Sequence, residues 1–213
     1  MRWQALFAKL PFPTTDDDPW SILRALDLFL ETIEDNSTSL IERGIDIEGP
    51  VYIEKGVIIE RGATIIGPAY IGSKATIRQG VYIRGGAYIG SGAIVGHATE
   101  VKHAVFLPNS HAPHFNYVGD SVLGQDVNLG AGVKISNFKN DGKEIVIGDK
   151  ATGMRKIGAF IGDGTKIGCN AVTAPGTIIG KNCLIYPLVF LRGIIPADSI
   201  IKLRQEIEIV AKQ

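Results

Sequence analysis

Every sixth residue from Ile47 onward is aliphatic: Ile47, Ile53, Ile59, Ile65, Ile71, Ile77, Ile83, Ile89, Val95, Val101 and Leu107. Two positions before each stands a small or β-branched residue, from Ile45, Val51 and Val57 through Ala63, Ala69 and Ala75 to Ala93, Thr99 and Val105. Gly or Pro follows most of the aliphatics three positions on, as at Pro50, Gly56, Gly62, Pro68, Gly80, Gly86 and Gly92. Six is three times the strand period of two, so both apolar members of a unit point to one side of a short strand. The Gly or Pro then turns a corner. Three units close a triangular coil of 18 residues, and stacked coils bury one continuous apolar axis. The pattern predicts an all-β solenoid of hexapeptide repeats over residues 45–197.

At this spacing the phase shifts twice. Leu107 to Tyr117 is a step of ten, which reads as a four-residue insertion and a loop near 108–116. The period resumes at Tyr117, Leu123, Leu129 and Ile135, with Ile147 in phase. Ile147 to Ile161 is a step of 14, and the repeat runs on through Ile167, Thr173, Ile179, Ile185 and Leu191. Residues 137–156 read as an excursion from the prism, and loops on a solenoid usually carry its function. The repeat resembles the left-handed parallel β-helix, whose winding departs from the usual right-handed crossover.

The ends follow other rules. Residues 1–44 read as a helical extension: Asp18-Pro19 precedes WSILRALDLFLETIEDNSTSLIE, a helix with Asp as N-cap, Pro at its first position, and apolar Ile22, Leu23, Leu26, Leu28 and Phe29. This helix is expected to cap the first coil, because solenoid ends need a cover. Residues 198–213, with SIIKLRQEIEIVAK at their heart, predict a C-terminal helix packed on the last coil or on a neighbouring subunit.

Composition narrows the classes. Among 213 residues, Lys+Arg and Asp+Glu number 22 each, which removes the electrostatic argument for nucleic acid or an anionic membrane. No apolar run reaches the ~20 residues of a bilayer span, and the first residues lack a signal-peptide core. Cys169 and Cys183 both fall inside the repeat and suit a reducing, cytoplasmic setting. Glycine, at 26 residues, points to many turns.

Residues 18 apart in unbroken repeats lie above one another at about 4.8 Å. Tyr52, Tyr70, Tyr88 and Phe106 then form an outward aromatic ladder. Bare, it would be an exposed apolar patch; either the N-terminal helix or a second subunit covers it. Arg84 and Lys102 stack likewise. They read either as two solvated cations, splayed apart and screened by Glu100, or as an anion site that pairs a guanidinium fork with an ammonium. The stretch after Lys102 holds His111 and His114. An imidazole ordinarily titrates near pH ~6.5, which suits a general base, and Pro113 restrains the chain before His114.

The runs RGGAYIGSGAIVGHATEVK (84–102) and HFNYVGDSVLGQDVNLGAG (114–132) resemble the acetyltransferase domain of the bifunctional glucosamine-1-phosphate acetyltransferase/N-acetylglucosamine-1-phosphate uridyltransferase family, across roughly 45–195. The resemblance implies a homotrimer that acetylates the amine of an amino-sugar phosphate, most directly glucosamine 1-phosphate, with acetyl-CoA as co-substrate and no metal. It makes His114 the catalytic base. Arg84, Lys102 and Tyr117 become sugar-phosphate contacts, Asn128 a sugar contact, and Lys143 the counterpart of a loop lysine. Ala131, Asn137, Phe138, Cys169 and Lys202 become acetyl-CoA contacts, although Phe138 lacks the hydroxyl of the family tyrosine. No nucleotidyltransferase domain is expected in the 44 residues before the repeats, and GMRKIGAFIGDGTKIG (153–168) is closer to related sugar-phosphate nucleotidyltransferase-like proteins. Three rivals stand beside this reading. One is an acyltransferase for another, nucleotide-linked amino sugar. The second is a non-catalytic sugar-phosphate module partnering a separate nucleotidyltransferase. The third is a γ-class carbonic anhydrase-like metalloenzyme built on His97, His103, His111 and His114.

Overall fold

A computed structural model describes residues 1–38 and 45–212. The repeats form a left-handed parallel β-helix of about 9 turns with three faces. Face one carries the strands Asp46–Glu48 and Thr64–Ile66, residues 82–84, 100–102 and 117–119, then Lys134–Ile135, Val172–Thr173 and Phe190–Leu191. Face two follows around a corner, from Val51–Ile53 and Ala69–Ile71 to Thr177–Ile179 and Ile194–Ile195. Face three runs from Ile58–Ile59 through Ile94–His97, His111–His114 and Asn128–Leu129 to Ile200–Ile201.

The sixfold aliphatics make the core. On face one Ile47, Ile65, Ile83, Val101, Val118, Ile135, Thr173 and Leu191 stack in register. Ile65, Ile83, Val101, Val118 and Ile135 are fully buried, each worth about 1.5–3 kcal/mol of transfer free energy. Inside the coil the small partners, such as Ala63, Ala75 and Ala93, leave room for the aliphatics of the other faces.

The break in the period has a different origin from the expected insertion. Register runs Arg84↔Lys102 and then Ala87↔Ala104, so Gly85 and Gly86 in one coil face His103 alone in the next. The corner between faces one and two loses one residue, and coils at 101, 118 and 135 lie 17 apart rather than 18. Residues 108–116 therefore hold no insertion. They form an ordinary corner and the strand His111–His114, paired with Ile94–His97 and Asn128–Leu129. One residue lost on each coil moves the inward set to Phe106, Val118 and Leu123, and turns Val105, Tyr117 and Val122 outward.

That shift corrects the aromatic ladder. Tyr52, Tyr70 and Tyr88 stack, with ring centroids 5.5 and 4.9 Å apart. The next rung is Val105, because Tyr88 pairs with Val105, while Phe106 lies fully buried in the axis. The N-terminal segment covers the ladder: Phe29 packs edge-on against Tyr70 and Tyr88, and Phe12 against Tyr88. The helix Ser21–Leu30 thus lies along the side of the prism and not over its first coil. Trp20 stands at its N-cap position, because the Asp18 carboxylate pairs with Lys150 while its carbonyl accepts from Ser21. The helix is shorter than expected: it ends at Leu30, residues 31–37 are not helical, and residues 39–42 of the expected helix lie outside the described residues.

The excursion at 137–156 is present and holds the antiparallel strands Val146–Ile147 and Lys150–Ala151. Ile145 and Ile147 pack outside the prism with Leu23, Leu26 and Phe160, so Ile147 is not a repeat position. The expected C-terminal helix is absent. Ile200–Ile201 pairs with Leu184–Ile185 and extends the prism past residue 197, and residues 203–212 are exposed and hold no regular secondary structure. Among the described residues no helix is long and apolar enough to cross a membrane.

Candidate active site

Face one lies between two corners, and the expected site residues divide between them. At the corner from face three, the chain turns through one left-handed residue per coil: Ala98 (φ 51°), Phe115 (φ 53°), Gly132 (φ 73°), Asn170 (φ 55°) and Leu188 (φ 64°). A bulky residue such as Phe115 rarely adopts that conformation, so the surrounding ladder must hold it there. The residues just before these turns stack in one column. Phe115 N–H donates to the His97 carbonyl, Gly132 to His114, Asn170 to Ala131 and Leu188 to Cys169. His114, Ala131 and Cys169 thus share one edge of face one. His114 is exposed, its own N–H donating to Asn116 Oδ1 at 3.1 Å, and it stands in register with His97. Cys169 is free and exposed, and Cys183 free and buried. Lys202 stands with its ammonium 5.1 Å from the Tyr186 ring near the lower end of this column.

The corner toward face two is polar. Arg84 and Lys102 are adjacent in register, but each has a carboxylate partner. Arg84 donates through Nε and Nη2 to Glu100 Oε1 at 2.9 and 2.6 Å. Lys102 Nζ lies 3.5 Å from Asp120 Oδ2. Asp120 also accepts from Asn137 Nδ2 at 2.5 Å and meets His103 Nδ1 at 3.0 Å. His103, Asp120 and Asn137 are 17 apart in sequence and ride the shortened corner; His103 (φ 48°) and Asp120 (φ 45°) are both left-handed. His103 Nε2 reaches Asp27 Oδ1 on the N-terminal helix at 3.0 Å. Sequence reasoning missed Asp120 and Asp27 as site neighbours and considered His103 only in a rival metal set, while it did name Glu100 as a screen of the cation pair. The 17-residue spacing of His103, Asp120 and Asn137 was the available signal.

Burial opposes charge on His103, yet the carboxylates of Asp120 and Asp27 outweigh it and raise its pKa. Burial likewise works against ionised Asp120, but hydrogen bonds from His103 and Asn137 and the Lys102 charge lower its pKa. Tyr117, on face one, is raised by burial and by Glu100 and Asp120. His111 is lowered, first by burial and then by Lys166.

Three expected residues stand apart. Asn128 lies on face three, in register with His111 and Lys166 and away from the Arg84–Lys102 pair. Lys143 is exposed in the excursion, its N–H donating to Asp141. Phe138 pairs with Lys156 and lies beneath Arg155, whose guanidinium is 6.0 Å from its ring. Two hollows flank this corner. One, of about 610 Å³, is lined by His103, Asp120, Phe138, Met154, Arg155 and Lys156. The other, of about 780 Å³, opens under the excursion, with Phe138, Lys139, Val172, Phe190 and Arg192 on its walls. The four histidines do not gather: His97 and His114 share one corner, His103 holds the other, and His111 lies on face three. Among the described residues no three His, Cys, Asp or Glu side chains converge as metal ligands.

Residues 65–157 match the GMPPB C-terminal domain, and residues 158–193 match the bacterial transferase hexapeptide (six repeats). The fold is shared with the UDP-N-acetylglucosamine acyltransferase of Campylobacter jejuni at a TM-score of 0.53 and 17% identity, over 72% of this chain and 68% of that one. The chain is 46% identical over 198 residues to the bifunctional protein GlmU of Methanococcus maripaludis, covering 92% of this chain and 48% of that protein. It is 36% identical over 192 residues to the protein of the same name from Methanocaldococcus jannaschii, covering 89% of this chain and 47% of that one. The chain thus spans about half the length of these curated relatives. Its fold is the left-handed β-helix of hexapeptide repeats. Over nearly its whole length it is similar to one half of the proteins named GlmU.

Proposed function

We propose that the chain moves the acetyl group of acetyl-CoA to the amine of an amino-sugar phosphate, with glucosamine 1-phosphate the first candidate. One observation carries the reading. A single face is bounded on one edge by the His114–Ala131–Cys169 column and on the other by the Arg84–Lys102 pair with Tyr117. A phosphate competes with Glu100 for Arg84 and with Asp120 for Lys102, while Tyr117 borders the sugar. The exposed His114 imidazole takes the proton as the amine attacks the thioester carbonyl. The Ala131 N–H has no backbone acceptor among the described residues, so it is free to donate to the oxyanion. The thiolate of CoA leaves as the tetrahedral intermediate collapses, and is protonated in turn.

Within one copy Asn128 and Lys202 lie off this face. A homotrimer in which a neighbour's face three closes on face one would bring both toward the CoA, together with the exposed Leu184, Tyr186 and Ile200. Asn137 donates to Asp120 on the phosphate side, and its remaining amide groups stay available to CoA. Phe138 and Lys143 remain contacts from the excursion. The decisive experiment is release of free CoA thiol from acetyl-CoA on adding glucosamine 1-phosphate, with a panel of free, phosphorylated and nucleotide-linked amino sugars. Thiol release with none of them sinks the reading. Release only with nucleotide-linked sugars reassigns the acceptor.

A further inference from the structure

Among the described residues His103 is the one histidine held by carboxylates on both ring nitrogens, Asp120 on Nδ1 and Asp27 on Nε2, each at 3.0 Å. An ionised carboxylate only accepts, so pairing with both calls for a proton on each nitrogen, the imidazolium form. Its side chain is 15% exposed and that of Asp120 is 5% exposed, so the pair is shielded from bulk screening. Asp120 is shared. One oxygen faces His103, and the other takes Asn137 and, at a loose 3.5 Å, Lys102. Were His103 neutral, Lys102 would be the remaining cation on Asp120 and would bind it more fully.

We propose that the His103 imidazolium, clamped between Asp27 and Asp120, is a positioning residue that keeps Lys102 available to the phosphate of the acceptor, and that Asp27 ties this control to the N-terminal helix. The inference rests on the reading of Lys102 as a phosphate contact. The charged groups around the ring are Asp27 from the helix, Asp120 and Lys102 from the prism, and Arg155 and Lys156 across the adjoining hollow. Loss of the His103 proton removes a cation from this set and hands its share of Asp120 to Lys102. His103 touches no reacting atom, so the chemical step itself should not change.

The test uses the full chain with His103→Asn, which tolerates the left-handed backbone, and with Asp27→Asn. In acetylation of glucosamine 1-phosphate, His103→Asn should raise KM for the sugar phosphate about tenfold, with kcat within about twofold. Asp27→Asn should lower the pH at which KM begins to rise, and should match the parent again near pH ~6, where an imidazole keeps its proton. A KM unmoved in both variants, or a kcat loss that tracks KM, overturns the proposal. A separate readout needs no substrate: the His103 ring protons followed by NMR against pH. A midpoint above the ordinary ~6.5 that falls in Asp27→Asn supports the clamp, and a midpoint at or below that value overturns it. Absence of any sugar acetylation with an intact NMR titration would sink the proposed acceptor while leaving the clamp standing, which separates the two failures.

Discussion

The two corners that flank face one are built from the same repeat but to different rules. The corner from face three keeps its length in every coil, and a backbone ladder, braced at His114 by the Asn116 side chain, fixes the column of His97, His114, Ala131 and Cys169. The His114 side chain stays exposed there, as a proton acceptor open to substrate must be. The corner toward face two is one residue shorter at His103 and Asp120, and fills the gap with a buried network of charged groups tied to the N-terminal helix. One corner presents chemistry through geometry, and the other holds charge through partners. Substitutions at the first should therefore act on turnover, and at the second on binding, pH response and docking of the helix.

The sharpest break of that contrast is His114→Ala. Removal of a positioned base is expected to lower kcat about 10²–10⁴-fold, with KM for the sugar phosphate little changed. Unaltered turnover would strip the first corner of its role. Arg84→Ala is expected to act the other way, raising KM at least about tenfold through loss of a charge-assisted phosphate contact. The column itself can be broken at Gly96. An added Cβ there would collide with the carbonyl of Pro113, the residue before His114. Gly96→Ala should cost about 3 kcal/mol of stability, read as a lowered urea midpoint, because backbone and not a flexible side chain is in the way.

What could be read beforehand follows the same division. The aliphatic sixfold pattern made the prism plain, because the burial of Ile65, Ile83 and Val101 depends only on strand period and corner. Arg84 over Lys102 was equally legible, lying before the first shortened corner. The spacing then misled. Two single-residue deletions, at His103 and Asp120, leave the same step of ten as one four-residue insertion, when the outward Leu107 and Tyr117 are taken as core. Phe106 was turned the wrong way for that reason. Asp27 lies 76 residues from His103, and no local period links them. The C-terminal helix failed because amphipathic spacing is a weak signal without a surface to bury the apolar stripe: Ile207, Ile209 and Val210 remain 79%, 92% and 74% exposed.

A smaller effect sharpens the role of the N-terminal segment. Phe29 packs against Phe12, Tyr70 and Tyr88 with centroids 5.2 to 5.7 Å apart. Phe29→Ala should cost about 2 kcal/mol, below the range for a fully buried Phe because the ring is half-buried. It should also speed hydrogen exchange in Ser21–Leu30 while leaving the prism protected. Loosening of both together would mean that the helix and the prism are one cooperative unit.

The smallest expected effect is the pH dependence of stability at the second corner. The folded-state pKa of His103 is raised above its unfolded value. Its contribution is therefore fully present below the unfolded value of ~6.5 and is lost as pH rises through the folded value. Asp120, lowered on folding, contributes above its unfolded value of ~3.9 and loses that contribution as pH falls through the folded value. Between them the network is complete only in mildly acidic to neutral solution. Thermal unfolding from pH ~5 to ~9 should show Tm declining on the alkaline side in the parent and a shallower decline in His103→Asn. Equal slopes for the parent and His103→Asn would mean that the His103 clamp adds nothing to the stability of the second corner.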